Sequence, residues 1–259
     1  MKHHDSTAEK LTAEGFSNDE RFAYPGRELE AMAEASNYHR WILGIFKPYL
    51  GHNIVEVGAG LGSFSELILE HRNCESLSLV EPSDGMYQQL VARARRLKTT
   101  TRIATYHGTF VEVASLIKSE TTPDSIIYVN VLEHIADDEL ELNTISQTLP
   151  QGGRAFFFVP ALPWLYGTFD ERVGHFRRYT KGELEEKLRR AGFNIVSSRY
   201  FDVSGIVPWW VMYCLLKSAK MSSRSVRFYD RLIVPAARRV ESLVPPPIGK
   251  NVIVIAEKR

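Results

Sequence analysis

No part of the chain limits its fold more tightly than Asn53–Pro82. The densest part, NIVEVGAGLGSF, carries the β-branched residues Ile54, Val55 and Val57 into glycines at 58, 60 and 62, and the apolar-periodic SFSELILEHR follows. That order predicts a buried strand, a tight turn and a helix. The glycines let the chain reverse quickly and let a ligand approach the backbone, while the helix start offers unpaired N–H groups. A polar ligand is expected there.

Two carboxylates select its chemistry. A dinucleotide-binding turn would place a third glycine at 63, but that position is Ser63, and Glu56 stands two residues before Gly58. A carboxylate there would repel a pyrophosphate and suits an ammonium group. Glu81 closes the next apolar run, SLSLVEP, where a strand-end acid accepts the hydroxyls of a ribose. Ammonium plus ribose points to S-adenosylmethionine. Together with VNVLEHI at 129–135, these features resemble the class I S-adenosylmethionine-dependent methyltransferases, bacterial small-molecule and sugar types (type 11/12) in particular, and with the C-terminal elements the resemblance covers most of the chain.

The resemblance implies a fold: one doubly wound, Rossmann-like α/β domain with a seven-stranded, mostly parallel sheet and an antiparallel last strand. Residues 1–50 would form a polar tail and a helical cap, 51–203 the cofactor-binding core, 204–249 an insertion and 250–259 the final strand. It also implies cofactor contacts at Glu56, Gly58, Ala59, Gly60 and Glu81, with Pro82 and Met86 near the adenine. Many relatives place an aspartate near Thr109 and Phe110 for the adenine amino group; here a hydroxyl or backbone group would serve. The backbone of Asn130, Val131 and Leu132 would face the methionine moiety. Tyr38 and Tyr24 are candidates to close over the site, with core packing as the other reading.

Composition narrows the rest. At 259 residues, 44% hydrophobic and 24% charged, the chain can bury a sizeable core, and its net charge of +1 argues against nucleic-acid binding by bulk electrostatics. Cys74 and Cys214 lie too far apart for a CxxC site, so neither a disulfide framework nor a zinc site is indicated, and no metal is expected. The N-terminus lacks the apolar core of a secretory signal, and no run reaches the ~20 apolar residues of a membrane span, so a cytoplasmic protein is expected.

Further strands are expected at 101–109, 125–130, 154–159, 194–203 and 251–259, with helices between them and a Thr180–Glu183 capping box opening one of them. The aromatic and charged stretch after the fifth strand lies over the cofactor edge of the sheet, where such proteins build their acceptor sites. Trp164, Tyr166 and Phe169 are candidate walls of an acceptor pocket, and Asp170, His175, Arg177 and Arg178 candidates to orient or deprotonate the acceptor. GHFRRYT resembles a segment of relatives that modify small molecules or sugars. His175 reads either as general base or as a loop buttress. Glu133 and His134 read as a helix cap and packing pair, or as chemical groups.

Residues 204–249 are the least expected part. GIVPWWVMYCLLK is apolar, and the stretch after it is rich in arginine. It reads as a lid, a dimer interface or, through 206–240, a peripheral membrane contact. The chain would be a monomer or homodimer. The expected activity is methyl transfer to an oxygen or nitrogen of a small-molecule acceptor, a sugar or secondary metabolite. A lipid-linked or phosphorylated acceptor and a non-catalytic cofactor-binding subunit are the rival readings.

Overall fold

The structure, a computed structural model, describes residues 35–71, 74–218 and 222–259. Tyr24 and the expected tail lie outside these. Strands β1 (Asn53–Val57), β2 (Ser76–Glu81), β3 (Arg102–His107), β4 (Ser125–Val129), β5 (Arg154–Pro160), β6 (Phe193–Phe201) and β7 (Asn251–Lys258) form one sheet of order β3-β2-β1-β4-β5-β7-β6. Only β7 is reversed, pairing antiparallel with both β5 and β6. The doubly wound sheet with an antiparallel last strand is as expected.

The helices are α1 (Ser36–Phe46), α2 (Ser63–His71), α3 (Asp84–Ala94), α4 (Phe110–Glu120), α5 (Asp138–Thr148), α6 (Thr168–Arg172), α7 (Lys181–Arg190), α8 (Ile206–Trp209), α9 (Ser223–Phe228) and α10 (Val234–Leu243). They cover both sheet faces, which is why the central strands are apolar at nearly every position. Val55, Tyr128, Phe157 and Val159 pack with Phe110 and Ile117 of α4 and Leu142 of α5. The alternate residues Ile54, Ile127, Phe156 and Phe158 pack on the other face with Trp41 of α1 and Phe64 of α2. The period-two alternation of strands thus divides one apolar run between two cores.

Several boundaries differ from expectation for local reasons. β3 stops at His107 because Thr109 opens α4: its N–H and its hydroxyl both donate to Glu112 Oε2 at 2.8 Å. After β4 the chain makes a short 3-10 turn, Leu132–His134, before α5, whose start is capped when Asp137 accepts the Leu140 N–H at 2.9 Å. Thr180 caps α7 as expected, accepting the Glu183 N–H at 3.2 Å.

The segment between β6 and β7 is tied down by buried acids. Asp230 accepts the N–H groups of Asn37 and Tyr38 at 3.2 and 2.9 Å, satisfying the first turn of α1 from a distant part of the chain. Glu241 accepts those of Asp202 and Val203 at 3.1 and 2.9 Å. Asp202, itself in the left-handed region at φ 62°, gathers the hydroxyl of Tyr38 at 2.9 Å, the ammonium of Lys250 at 3.1 Å and the hydroxyl of Tyr229.

Candidate active site

The strand order reverses between β1 and β4, which opens a crevice at their carboxyl ends. The turn after β1 fills one side of it. Gly58 (φ +67°) must lack a side chain, since a Cβ there would lie 2.4 Å from Val131 Cγ2. Gly60 (φ +55°) differs: a Cβ there would meet nothing within 4 Å, so its backbone borders open space. Asn130 (φ 54°) turns the chain after β4 through a conformation that asparagine tolerates, bringing Val131 against Gly58.

Glu81 holds this turn to the end of β2. Its Oε2 accepts the Gly60 N–H at 2.8 Å and its Oε1 the Ser83 N–H at 2.9 Å. Burial raises its pKa, and the two backbone bonds only partly oppose that shift. Glu56 is buried and accepts the Ser65 hydroxyl at 2.5 Å. Burial pushes its carboxyl up to about 8, against the Ser65 hydrogen bond and with a small addition from the nearby Glu81 charge. No basic side chain is bonded to either acid among the described residues. The donor set therefore fits S-adenosylmethionine: an acid that lacks a cation, a strand-end carboxylate with spare lone pairs, and an open glycine backbone.

Of the other expected cofactor residues, Ala59 donates its N–H to the Val80 carbonyl at 3.0 Å, and Pro82 and Met86 are half-buried beside the end of β2. The Thr109 hydroxyl is engaged by Glu112, and the Phe110 ring lies in the core, 6.2 Å from that of Tyr128. Leu132 is fully buried.

A cavity on the acceptor side is lined by Tyr38, Asn130, Glu133, His175, Arg178 and Trp209, among others. His175 Nδ1 lies 2.7 Å from Asp170 Oδ1, which also accepts from Arg178 Nε at 2.9 Å. Asp170 Oδ2 accepts the Gly167 N–H at 3.0 Å. Burial would raise the Asp170 pKa, but the His175 hydrogen bond and the Arg178 charge outweigh it and hold the carboxylate below its ordinary value. With Asp170 ionised, Nδ1 is the ring nitrogen that donates to it, and Nε2 is the one turned toward Glu133. His175 Nε2 lies 3.8 Å from Glu133 Oε1. Glu133 is fully buried, neither of its oxygens has a hydrogen-bond partner, and burial pushes its carboxyl up to about 8.

Residues proposed from sequence for the acceptor side divide into two groups. His175 and Phe169 line the cavity, and Asp170 stands directly behind His175. Trp164 is 58% exposed and does not line it. Tyr166 donates its hydroxyl to the His175 carbonyl at 2.6 Å, and Arg177 is bound to the Ala136 carbonyl and to Asp138. Tyr38, expected near the cofactor, lines the cavity while its hydroxyl bonds Asp202 and Asn251. Sequence reasoning gave Trp209, Lys250 and Asn251 no place in the site. They reach it from the segment after β6 and from the start of β7, with no local motif to announce them. Glu133 did carry a signal, as an acid just past the end of a central strand.

A sheet of this order with a glycine turn and a strand-end acid at its reversal point defines a class I S-adenosylmethionine-dependent methyltransferase. A family model described as a methyltransferase domain matches residues 16–198, and the chain belongs to that family. Solved structures share the fold. A S-adenosylmethionine-dependent methyltransferase from Archaeoglobus fulgidus is 17% identical with a TM-score of 0.53, over 93% of this chain and 97% of the other. The N-methyltransferase NodS of Bradyrhizobium japonicum, in complex with S-adenosylhomocysteine, is 13% identical with a TM-score of 0.52, over 86% of each chain. Phosphoethanolamine N-methyltransferase 2 of Haemonchus contortus, in complex with S-adenosylmethionine, is 15% identical with a TM-score of 0.62, over 95% of this chain and 60% of the other. No curated protein matches the chain.

Proposed function

We propose that this methyltransferase is cytoplasmic and acts on an oxygen or nitrogen of a small molecule, and that the acceptor is a neutral, hydroxylated compound such as a sugar or secondary metabolite. The observation that carries this is the Asp170–His175 pair set beside Glu133, whose oxygens lack hydrogen-bond partners, on the wall of the cavity. Bound S-adenosylmethionine supplies an electrophilic methyl group on a sulfonium. The chain's own task is to place the acceptor and take its proton. His175 Nε2, fixed by the Asp170 hydrogen bond, is set to accept the proton that an acceptor hydroxyl loses as its oxygen bonds carbon. Glu133, protonated near neutral pH, hydrogen-bonds the acceptor beside it. On the cofactor half we assign Glu56 to the ammonium group and Glu81 to the ribose hydroxyls, with Gly58 to Gly60 and Asn130 to Leu132 as the backbone walls.

The cavity's charges favour a neutral acceptor over a phosphorylated one. Arg178 is bonded to Asp170 and Lys250 to Asp202, so both cations that line it are matched by buried carboxylates. The test is transfer of isotopically labelled methyl groups to a panel of hydroxylated, amine and phosphorylated compounds. Labelling confined to phosphorylated acceptors would overturn the reading, and cofactor binding without any transfer would favour a non-catalytic subunit.

A second observation sets a further test. Glu133, His134 and His175 each offer one metal-ligand atom, and these atoms lie within 4.8 Å of one another. Proton transfer to His175 requires its Nε2 to be unligated. Dialysis against a chelator is therefore expected to leave turnover unchanged. Loss of turnover that a divalent cation restores would make the cluster a metal centre and His175 a ligand.

A further inference from the structure

The helical stretch from Ser223 to Leu243 has an outer side that its inner contacts leave unexplained. Phe228, Leu232, Val240 and Leu243 are 61, 60, 63 and 82% exposed, and they recur at intervals of four, eight and three residues, the spacing of one helical stripe. An arginine directly precedes three of the four: Arg227, Arg231 and Arg239. Arg224 and Arg238 are exposed as well.

The acids of the stretch do not offset these cations on the surface. Asp230 and Glu241 are its only acidic residues, and both are buried and turned inward, onto the start of α1 and the Asp202 loop. Within the stretch, the outward side therefore joins a large-residue apolar stripe to arginines and carries no acid of its own. The chain's net charge is only +1, so this basicity is local rather than a property of the whole surface. The preceding stretch adds Leu215 and Leu216, both well exposed.

We propose that this face docks the protein peripherally on an anionic lipid surface. Leucine, valine and phenylalanine enter the boundary between headgroups and acyl chains, while the adjacent arginines reach lipid phosphates. Charge complementarity selects this occupant. A nucleic-acid backbone would answer the arginines but would leave the interleaved apolar side chains unburied. No helix among the described residues is long and apolar enough to cross a membrane. The earlier helix α8 (Ile206–Trp209) supplies Trp209 to the cavity, and the adjacent Trp210 is exposed. The inference stands independently of which acceptor is methylated.

The test is co-sedimentation of the full chain with vesicles of phosphatidylcholine, with and without phosphatidylglycerol, at low and high salt. Binding is expected only to the anionic vesicles and should weaken with salt. Phe228→Ser with Leu232→Ser should lower vesicle affinity by about tenfold or more. Arg231→Gln with Arg239→Gln should do the same at low salt, and both double variants should unfold at the wild-type temperature. Background binding to both vesicle types overturns the proposal, as does undiminished binding by both double variants. A concentration-dependent dimer that the Phe228 and Leu232 substitutions dissolve, with vesicles ignored, would assign the face to a second copy of the chain and overturn it equally.

Discussion

The two halves of the candidate site handle charge in opposite ways. Around the glycine turn, Glu56 and Glu81 are buried with hydroxyl and N–H donors but no bonded cation, and burial raises both pKa values. Around the acceptor cavity, Asp170 is matched by Arg178 and Asp202 by Lys250, and both carboxylates are held low. Among the described residues no cation is bonded to either acid of the first half, which suits the cationic ligand proposed for it. In the second each lining cation is matched by a carboxylate and burial keeps Glu133 protonated near neutral pH, which suits the proposed transfer to a neutral acceptor. Substitutions on one side should therefore change binding of the cofactor, and those on the other should change turnover.

The largest expected effect tests that division directly. His175→Ala should lower turnover by roughly 10²- to 10⁴-fold, the usual worth of a positioned general base, with cofactor affinity within about twofold of wild type. Near-normal turnover would leave His175 as a loop buttress. Gly58→Leu acts on the other half. It forces a side chain into the left-handed region and onto Val131, which should cost roughly 3 kcal/mol or more and abolish cofactor binding measurable by calorimetry.

Glu81→Ala removes two hydrogen bonds to a carboxylate and should weaken cofactor binding by about 10- to 100-fold while leaving the turnover of the saturated enzyme close to normal. Unchanged affinity would remove Glu81 from the site. Glu56 makes the contrast pH-dependent. A cationic ligand selects its ionised form, so wild-type affinity should improve by up to about tenfold per pH unit as pH rises toward 8, then level off. Glu56→Gln should lose that slope, and an identical slope in the variant would show that another group sets it.

The smallest effect concerns the unliganded protein. Glu133 binds its proton more tightly folded than unfolded, so its contribution to stability is greatest at low pH and is lost as pH rises from about 4.5 toward 8. Glu133→Gln should unfold a few degrees higher than wild type at pH 8, with the gap closing at pH 4.5. A gap constant across that window would mean that the carboxyl titrates normally.

The two halves also differed in how far the chain alone revealed them. Glu56, Gly58, Gly60 and Glu81 lie within one strand–turn–helix–strand unit, and their residue types carry the chemistry at short sequence range. The Thr109–Glu112 capping box is equally local, and it ends β3 at His107, two residues short of the expected end. The cavity draws on residues from Tyr38 to Asn251, brought together only when β7 inserts between β5 and β6. Trp164 and Arg177 had suitable chemistry at suitable positions, but neither lines it.

From residue order came the buried strands, the glycine turn and the cofactor, because strand composition, glycine conformation and strand-end acids act over a few residues; the sheet class came with the family resemblance those residues carry. Packing chose which aromatic rings wall the cavity, which acid meets His175, and how Asp230 and Glu241 are drawn inward, leaving arginines beside an exposed apolar stripe. Those outcomes depend on which distant segments meet, and the burial and pairing of a charge are set by its neighbours in space.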